Sequence, residues 1–176
     1  MKNQLRIKAK ELKKSLDIKT LSSQIKENLF LLEEFKNAKN ICCYYSVRDE
    51  IITTDYFDDT SKNWFIPKVN GEDLLICPYN KNSLEKGIFG LLEPTNEPIE
   101  DLSVLDLIIV PALAVDMSGH RIGYGKGFYD RFMKKLTHNP IKICIVPSDL
   151  VVQNSYCNEF DEKVNIIVCN NNVFKI

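Results

Sequence analysis

The sequence predicts an α/β fold, a single-domain layered sandwich in which helices flank a mostly parallel central sheet. Three observations predict it. Apolar residues follow the helical period through the first third of the chain. Short apolar runs of strand length recur after residue 40, between helical and loop segments. The strongest run, Leu105-Asp-Leu-Ile-Ile-Val110, is apolar on both faces, as a central parallel strand is. The chain has 176 residues, 44% hydrophobic and 27% charged. Residues 1–176 thus suffice for one domain that buries roughly 70% of its unfolded surface.

The elements follow in order. Leu5, Ala9, Leu12 and Leu16 share one face of a first helix. Asp17 and Thr20 break and cap the chain before a second helix, which Leu21, Ile25, Leu29, Leu32 and Phe35 carry to about residue 37. Asn40 to Tyr45, apolar with aromatics, reads as a buried strand, and Thr53 to Thr60 as one or two helical turns. Trp64 to Ile66 reads as a strand stopped by Pro67, and Leu74 to Cys77 as one stopped by Pro78. Residues 79–100 form a loop-rich excursion with one short strand or turn at Gly87–Leu91. After the Leu105–Val110 strand, Phe128 to Leu136 is helical. Ile141 to Val146 and Val164 to Cys169 are strands, and a last short strand is expected at Val173–Ile176.

Composition removes several classes of function. Lys+Arg is 23 against 24 Asp+Glu, a formal net charge of −1, so nucleic-acid binding lacks its main driving force. The lysine-rich first helix carries no interleaved aromatics on which bases would stack. The longest apolar run, Leu107 to Val115, is nine residues and contains Pro111, short of the roughly 20 that a membrane span needs. The charged N-terminus lacks the apolar stretch of a signal peptide. A soluble cytoplasmic protein with no nucleic-acid or membrane partner is expected. A monomer is the expectation. Of the six cysteines, Cys42, Cys77, Cys144 and Cys169 lie in or beside apolar runs, and none forms a C-x-x-C pair. They read as small buried apolar residues, not as a disulfide framework or a zinc site.

The most informative segment is Arg121-Ile-Gly-Tyr-Gly-Lys-Gly-Phe-Tyr-Asp130, a short loop past the central strand, opening a helix. In open α/β sheets, ligands sit beyond the carboxyl ends of the strands. Gly123, Gly125 and Gly127 would let backbone N–H groups approach an anion, with Arg121 and Lys126 adding side-chain cations. Asp130 stands where a carboxylate could hold Mg²⁺ against phosphates. Neither standard fingerprint fits: the P-loop needs four residues between its first glycine and Gly-Lys-Ser/Thr and no hydroxyl follows Lys126, and Phe128 stands where the dinucleotide pattern needs its third glycine. A glycine turn chosen for tight packing is the alternative.

Other residues say less by themselves. Lys2 and Arg6, four apart, share a helical face and could flank a groove; with Lys8, Lys10, Lys13 and Lys14 nearby, they also fit a solvated basic face. Asp49 and Glu50 follow a strand end, where a carboxylate could bind an amino or amide group, or simply make a turn. Neither His120 nor His138 belongs to a recognisable triad, and no nucleophile stands out. The chemistry this set suits is positioning and electrostatics on a phosphate.

The block from Leu105 to Asp116, followed by Gly119 and by Arg121 to Arg131, resembles the 5-formyltetrahydrofolate cyclo-ligase family. Lys2-Asn-Gln-Leu-Arg6 is similar to its N-terminal basic helix, Asp49-Glu50-Ile51 to its first strand-end motif, Phe65-Ile-Pro67-Lys68 to its next strand, and Glu93-Pro94 to the loop before its central strand. The resemblance implies an enzyme that converts 5-formyltetrahydrofolate and ATP to 5,10-methenyltetrahydrofolate, ADP and phosphate with Mg²⁺. Its folate substrate would be a small molecule, possibly polyglutamylated. On this resemblance, Lys2, Arg6 and the loop Arg121, Ile122, Gly123, Tyr124, Gly125, Lys126, Gly127, Phe128 and Tyr129 would bind ATP, with Arg121 and Lys126 stabilising charge. Asp130 and Asp161 would hold Mg²⁺. Glu50 would hydrogen-bond the pterin. Tyr45, Tyr124, Gly125, Lys126, Gly127 and Phe128 would meet the folate, and Trp64 would stack there or sit in the core. The chain departs from the family pattern at Ala112, Val115, Phe160 and Asn165, and the glutamine usual near Val146–Asp149 is absent, with Gln153 a little further on. Without the resemblance, the loop also suits a sugar-phosphate isomerase or an acyl-CoA transferase. A non-catalytic folate-binding module is a third reading, against which Arg121, Lys126 and Asp130 count.

Overall fold

The fold was read from a computed structural model of the chain, which describes residues 1–87 and 90–176. Helices α1 (Lys2–Lys14), α2 (Ile18–Leu31) and α3 (Glu33–Asn37) precede strand β1 (Asn40–Cys43). Then come β2 (Asn63–Asn70), β3 (Asp73–Pro78), a hairpin of β4 (Leu84–Lys86) and β5 (Leu92–Pro94), and β6 (Leu107–Val110). The rest comprises β7 (Ala114–Asp116), β8 (Arg121–Ile122), α4 (Phe128–Lys134), β9 (Ile141–Ile145), β10 (Val151–Val152), β11 (Ile166–Val168) and β12 (Val173–Lys175). The main sheet is seven-stranded, in the order β12-β11-β9-β6-β1-β2-β3. Its five inner strands are parallel and its two edge strands antiparallel. The α/β sandwich expected from the sequence is therefore the fold.

Period-two alternation splits the core into two layers. Cys42, Ile108, Val110, Cys144 and Ile167 face one side, with Ala9 of α1 and Phe132 and Met133 of α4. Ile41, Cys43, Leu107, Ile109, Ile143, Ile145, Ile166 and Val168 face the other, under Ile25 and Leu29 of α2 and Phe35 of α3. Each fully buried Ile or Leu contributes about 1.5–3 kcal/mol. The cysteines in apolar runs are buried and unpaired as expected, and burial pushes the Cys42 and Cys144 thiols up to about 12.

Several expected boundaries moved. The second helix breaks at Leu32, which takes an extended conformation and divides α2 from α3. Strand β2 runs through Pro67, past the expected stop. The ladder to β1 ends at Phe65, and Ile76 opposite Pro67 gives its carbonyl to the Ile99 N–H, so the missing proline N–H interrupts no bond on either side. The Thr53–Thr60 turns contain a 3₁₀ segment, Tyr56–Asp58. The strand or turn expected at Gly87–Leu91 includes 88 and 89, outside the described residues; β4 and β5 flank that segment. The small sheet β10-β7-β8 was not expected. Asp116 fixes its turn, accepting from the Ser118, His120 and Ser155 N–H groups at 2.9, 3.1 and 3.1 Å.

Of the expected stripe on the first helix, Leu5, Ala9 and Leu16 pack against the core and Leu12 does not. Leu12 is 39% exposed, whereas Lys13 is 2% exposed and Ala9 5%. The face carrying Lys2, Arg6, Ala9 and Lys13 is turned inward.

Candidate functional site

A cavity of about 950 Å³ opens beyond the carboxyl ends of β1 and β6, where a parallel sheet presents its ligands. Its lining draws together residues from both ends of the chain: Lys2, Arg6, Tyr45, Glu50 and the whole of Gly123 to Asp130, with Arg121 and Asp161. Every site residue expected from the sequence lines it except Ile122 and Trp64. Ile122 is fully buried in β8, and its carbonyl accepts from the Leu113 N–H, so it supports the loop from behind. Trp64 is a core residue: its indole N–H donates to the Asp59 carbonyl at 2.9 Å, and its ring packs edge-on against Phe57.

Arg121 leaves the small sheet with its side chain only 3% exposed, and donates from Nη2 to Asp130 Oδ1 at 2.9 Å. Its guanidinium lies over the Tyr129 ring, and its buried Nε has no partner among the described residues. Asp130 Oδ1 also accepts from the Glu162 N–H at 3.1 Å. The loop is held open from two directions. Arg6 donates from Nε to the Gly123 carbonyl at 2.9 Å. Arg131 donates to the carbonyls of Lys126 and Glu72, tying the loop to the β2–β3 turn. Gly125 takes φ +102, a backbone conformation that other residues rarely adopt, with the Arg6 guanidinium at ordinary contact distance, 3.7 Å from where a Cβ would be. Gly127, at φ +69, turns the chain into α4, and a Cβ there would lie 2.7 Å from Arg131 Nη1. The backbone N–H groups of Gly123, Tyr124, Gly125 and Gly127 make no hydrogen bond to another described residue. They are free to meet an anion.

Lys2 pairs with Asp161 Oδ2, which also accepts from the Asn158 N–H at 2.7 Å. Burial works against ionisation of Asp161, but Lys2, the Asn158 N–H and Arg121 outweigh it and hold its carboxyl below the ordinary value. Among the described residues, no group of three or more His, Cys, Asp or Glu side chains converges on one point. A Mg²⁺ ion carried by a nucleotide needs only one or two carboxylates, because phosphates and water fill the rest. Asp130 Oδ2 and Asp161 Oδ1 each lack a described hydrogen-bond partner, so this donor set fits such an ion.

The remaining lining has a different chemistry. Glu50 accepts from the Val47 N–H at 3.0 Å through Oε2. Burial raises its pKa, the Val47 N–H, the Tyr124 hydroxyl and Lys13 oppose that rise, and Asp49 adds to it. Burial also raises the Tyr124 phenol, with Glu50 and Asp49 contributing. Tyr45 stacks with Phe57 and Tyr79 at centroid distances of 5.6 and 6.3 Å. Val69 and Leu74 from the β2–β3 edge and Leu91 and Leu92 from the hairpin form an apolar wall. Sequence reasoning missed that wall, along with Arg131, Lys134 and Phe160. Nothing in their local sequence distinguishes them from ordinary strand, helix or loop residues, and only the chain path brings them to the cavity. Lys134 lies 5.1 Å over the Phe160 ring at the rim. His120 stays at the Asp116 turn, 3.8 Å from that carboxylate, and His138 meets the Leu105 carbonyl; neither enters the cavity.

Comparison with known proteins identifies a family and a fold. The model of the 5-formyltetrahydrofolate cyclo-ligase family matches residues 1–170. A probable 5-formyltetrahydrofolate cyclo-ligase of Schizosaccharomyces pombe is 35% identical over 147 residues, covering 76% of this chain and 72% of that protein. The 5-formyltetrahydrofolate cyclo-ligase of Mus musculus is 24% identical over 181 residues, covering 90% of this chain and 89% of its own length. The solved structure of Aquifex aeolicus 5,10-methenyltetrahydrofolate synthetase superposes with a TM-score of 0.87 at 30% identity, covering 99% of this chain and 92% of that one.

Proposed function

Because the chain belongs to the 5-formyltetrahydrofolate cyclo-ligase family, we propose that its cavity takes ATP and 5-formyltetrahydrofolate together and closes the folate ring. The formyl oxygen attacks the γ-phosphorus, forming an O–P bond as the bond to ADP breaks. The N10 lone pair then forms the new C–N bond, phosphate departs with the C–O electron pair, and N10 gives up its proton. No protein nucleophile is needed. The protein must align two ligands and neutralise charge that spreads over the transferred phosphoryl oxygens.

The observation that carries this reading is the division of one cavity into two chemical halves. Lys2, Arg6, Arg121 and Lys126 join backbone N–H groups that bond no described residue, and the same cavity brings Glu50 together with tyrosines and an apolar wall. Arg121 is one charge stabiliser; a phosphate oxygen would satisfy its unpartnered Nε–H. Lys126 supplies a second cation from the loop tip. Lys2 and Arg6 orient the phosphate chain. Asp130 and Asp161 would hold Mg²⁺, which when bound offsets phosphate charge. Glu50 as a carboxylate would accept the pterin's N–H donors, with Tyr45 and Tyr124 against its rings, while the wall of Val69, Leu74, Leu91 and Leu92 excludes water. Polyglutamylated substrate would extend its tail past the rim.

The test is an absorbance assay for the methenyl product, with purified protein, 5-formyltetrahydrofolate and Mg²⁺, with and without ATP. Product that grows only with ATP is expected. Folate binding without ATP-dependent product would refute the reaction and leave a binding module.

A further inference from the structure

Two arginines grip the glycine loop, and each grips it by a carbonyl. Arg6 donates from Nε to the Gly123 carbonyl at 2.9 Å, and Arg131 donates from Nη2 to the Lys126 carbonyl at 2.9 Å. A carbonyl and the N–H that follows it belong to one planar trans peptide and point in opposite directions. Fixing the Gly123 carbonyl therefore aims the Tyr124 N–H, and fixing the Lys126 carbonyl aims the Gly127 N–H. Neither N–H bonds another described residue, and both residues line the cavity.

Arg131 also has a second anchor. Nε and Nη2 both donate to the Glu72 carbonyl, the Nε bond at 2.9 Å. Glu72 lies in the turn that joins Val69 and Leu74, paired residues of the apolar wall. The guanidinium thus spans two carbonyls from separate segments, a task for a planar fork and not for a single ammonium. It lies 5.5 Å over the Phe128 ring and presses on Gly127, where a Cβ would stand 2.7 Å from Nη1. Among the described residues, no carboxylate pairs with it. Docking of α4 does not need these bonds. Phe132 and Met133 are buried in the core, and Lys135, just past the helix, pairs with Asp73 beside the same turn at 2.7 Å. What Arg131 adds to that docking is its hold on the loop peptide.

We infer that Arg131 is a positioning residue for the glycine loop: anchored on the Glu72 carbonyl, it holds the 126–127 peptide so that the Gly127 N–H is presented to a bound phosphate chain. The ligand in this statement rests on the functional reading above; the grip on the peptide does not. Arg6 does the same for the Tyr124 N–H from the other side of the loop. The loop then needs little rearrangement to take an anion, because its donors are aimed before the anion arrives.

The experiment compares the full chain with Arg131→Met, which keeps an apolar stem without the fork, and with Lys135→Ala, which breaks only the neighbouring ion pair. Protein with glycine labelled on its nitrogen is titrated with inorganic tripolyphosphate and with ADP. The Gly127 amide is followed by NMR, and calorimetry gives the affinities. In the wild type, the Gly127 amide proton is expected to move downfield as it bonds the anion. In Arg131→Met that movement shrinks and both affinities fall about tenfold or more, the loss of one hydrogen bond to a charged group. Affinity for 5-formyltetrahydrofolate without nucleotide stays at the wild-type value, and Lys135→Ala behaves as wild type. If Arg131→Met does not fold, Arg131→Gln carries the same comparison. An Arg131→Met protein whose Gly127 signal and affinities match wild type overturns the inference. So does an equal loss in Lys135→Ala, which makes Arg131 a docking contact of α4, and so does an equal loss of folate affinity, which marks general damage. Wild-type protein that binds neither anion overturns the functional reading itself, whereas binding that leaves the Gly127 amide unmoved overturns this inference alone.

Discussion

Replacing Arg121 by methionine separates its two duties. The side chain is 3% exposed and its partner Asp130 20% exposed, with 2.9 Å between Nη2 and Oδ1. Methionine fills most of the vacated space but leaves Asp130 with only the Glu162 N–H at 3.1 Å. Breaking a fully buried pair costs 3–5 kcal/mol; water reaches Asp130, so about 2 kcal/mol is expected here. In a chain of this size that lowers Tm by about 4–8 °C. Loss of a preorganised donor facing the transferred phosphoryl group should lower kcat by about 10²–10³. Adding Asp130→Asn removes the stranded charge, so Arg121→Met/Asp130→Asn should regain about 1 kcal/mol or more without regaining kcat. Thermal denaturation and the methenyl absorbance assay at saturating ATP read the two effects. If kcat in the single variant stays within about threefold of wild type, or if kcat and stability recover together in the double, Arg121 is a strut and not a charge stabiliser.

Further perturbations check the loop and its support. Lys126→Ala, at an exposed loop tip, should lower kcat by about 10²-fold or more; full activity would refute the loop assignment. Gly127→Ala forces alanine to φ +69 and sets a Cβ 2.7 Å from Arg131 Nη1, so a denaturant midpoint lower by about 1–3 kcal/mol of stability and a raised KM for ATP are expected; an unchanged midpoint would contradict the strain argument. Asp116→Asn should destabilise the chain by about 1–3 kcal/mol, because one amide oxygen cannot replace a carboxylate that accepts three N–H bonds. Burial disfavours the Asp116 charge, but Ser155, His120 and Ser118 outweigh it and depress its pKa. Its stabilisation is therefore present above the ordinary aspartate value near 3.9 and lost as pH falls through the lower folded value. A wild-type acid unfolding profile that Asp116→Asn leaves unaltered would refute this.

Much of the fold was legible because it rests on local chemistry. Leu105 to Val110 reads as a central strand since both faces are apolar, and it is β6, between β1 and β9. The glycine loop was legible for a similar reason: Gly125 and Gly127 hold left-handed backbone that other residues avoid. Lys2 and Arg6 were ambiguous among six basic residues of one helix; spacing put them on one face without saying where the face points. Expected boundaries failed where a tertiary neighbour decided them, as at Pro67, whose missing N–H costs nothing only because of how β1 and β3 pair beside it.

By itself, then, the sequence determined the layered α/β class, the central strand, the glycine loop and the family, because period, glycine and charge spacing act over a few residues. The tertiary structure alone decided which way α1 faces, and with it the burial of Lys13 in place of Leu12. It decided the ion pairs Lys2–Asp161 and Arg121–Asp130, the apolar wall from β2, β3 and the hairpin, and the core position of Trp64. These depend on contacts between residues far apart in the chain. A helical period fixes which side chains share a face, but the energy that turns that face inward comes from the surface it meets.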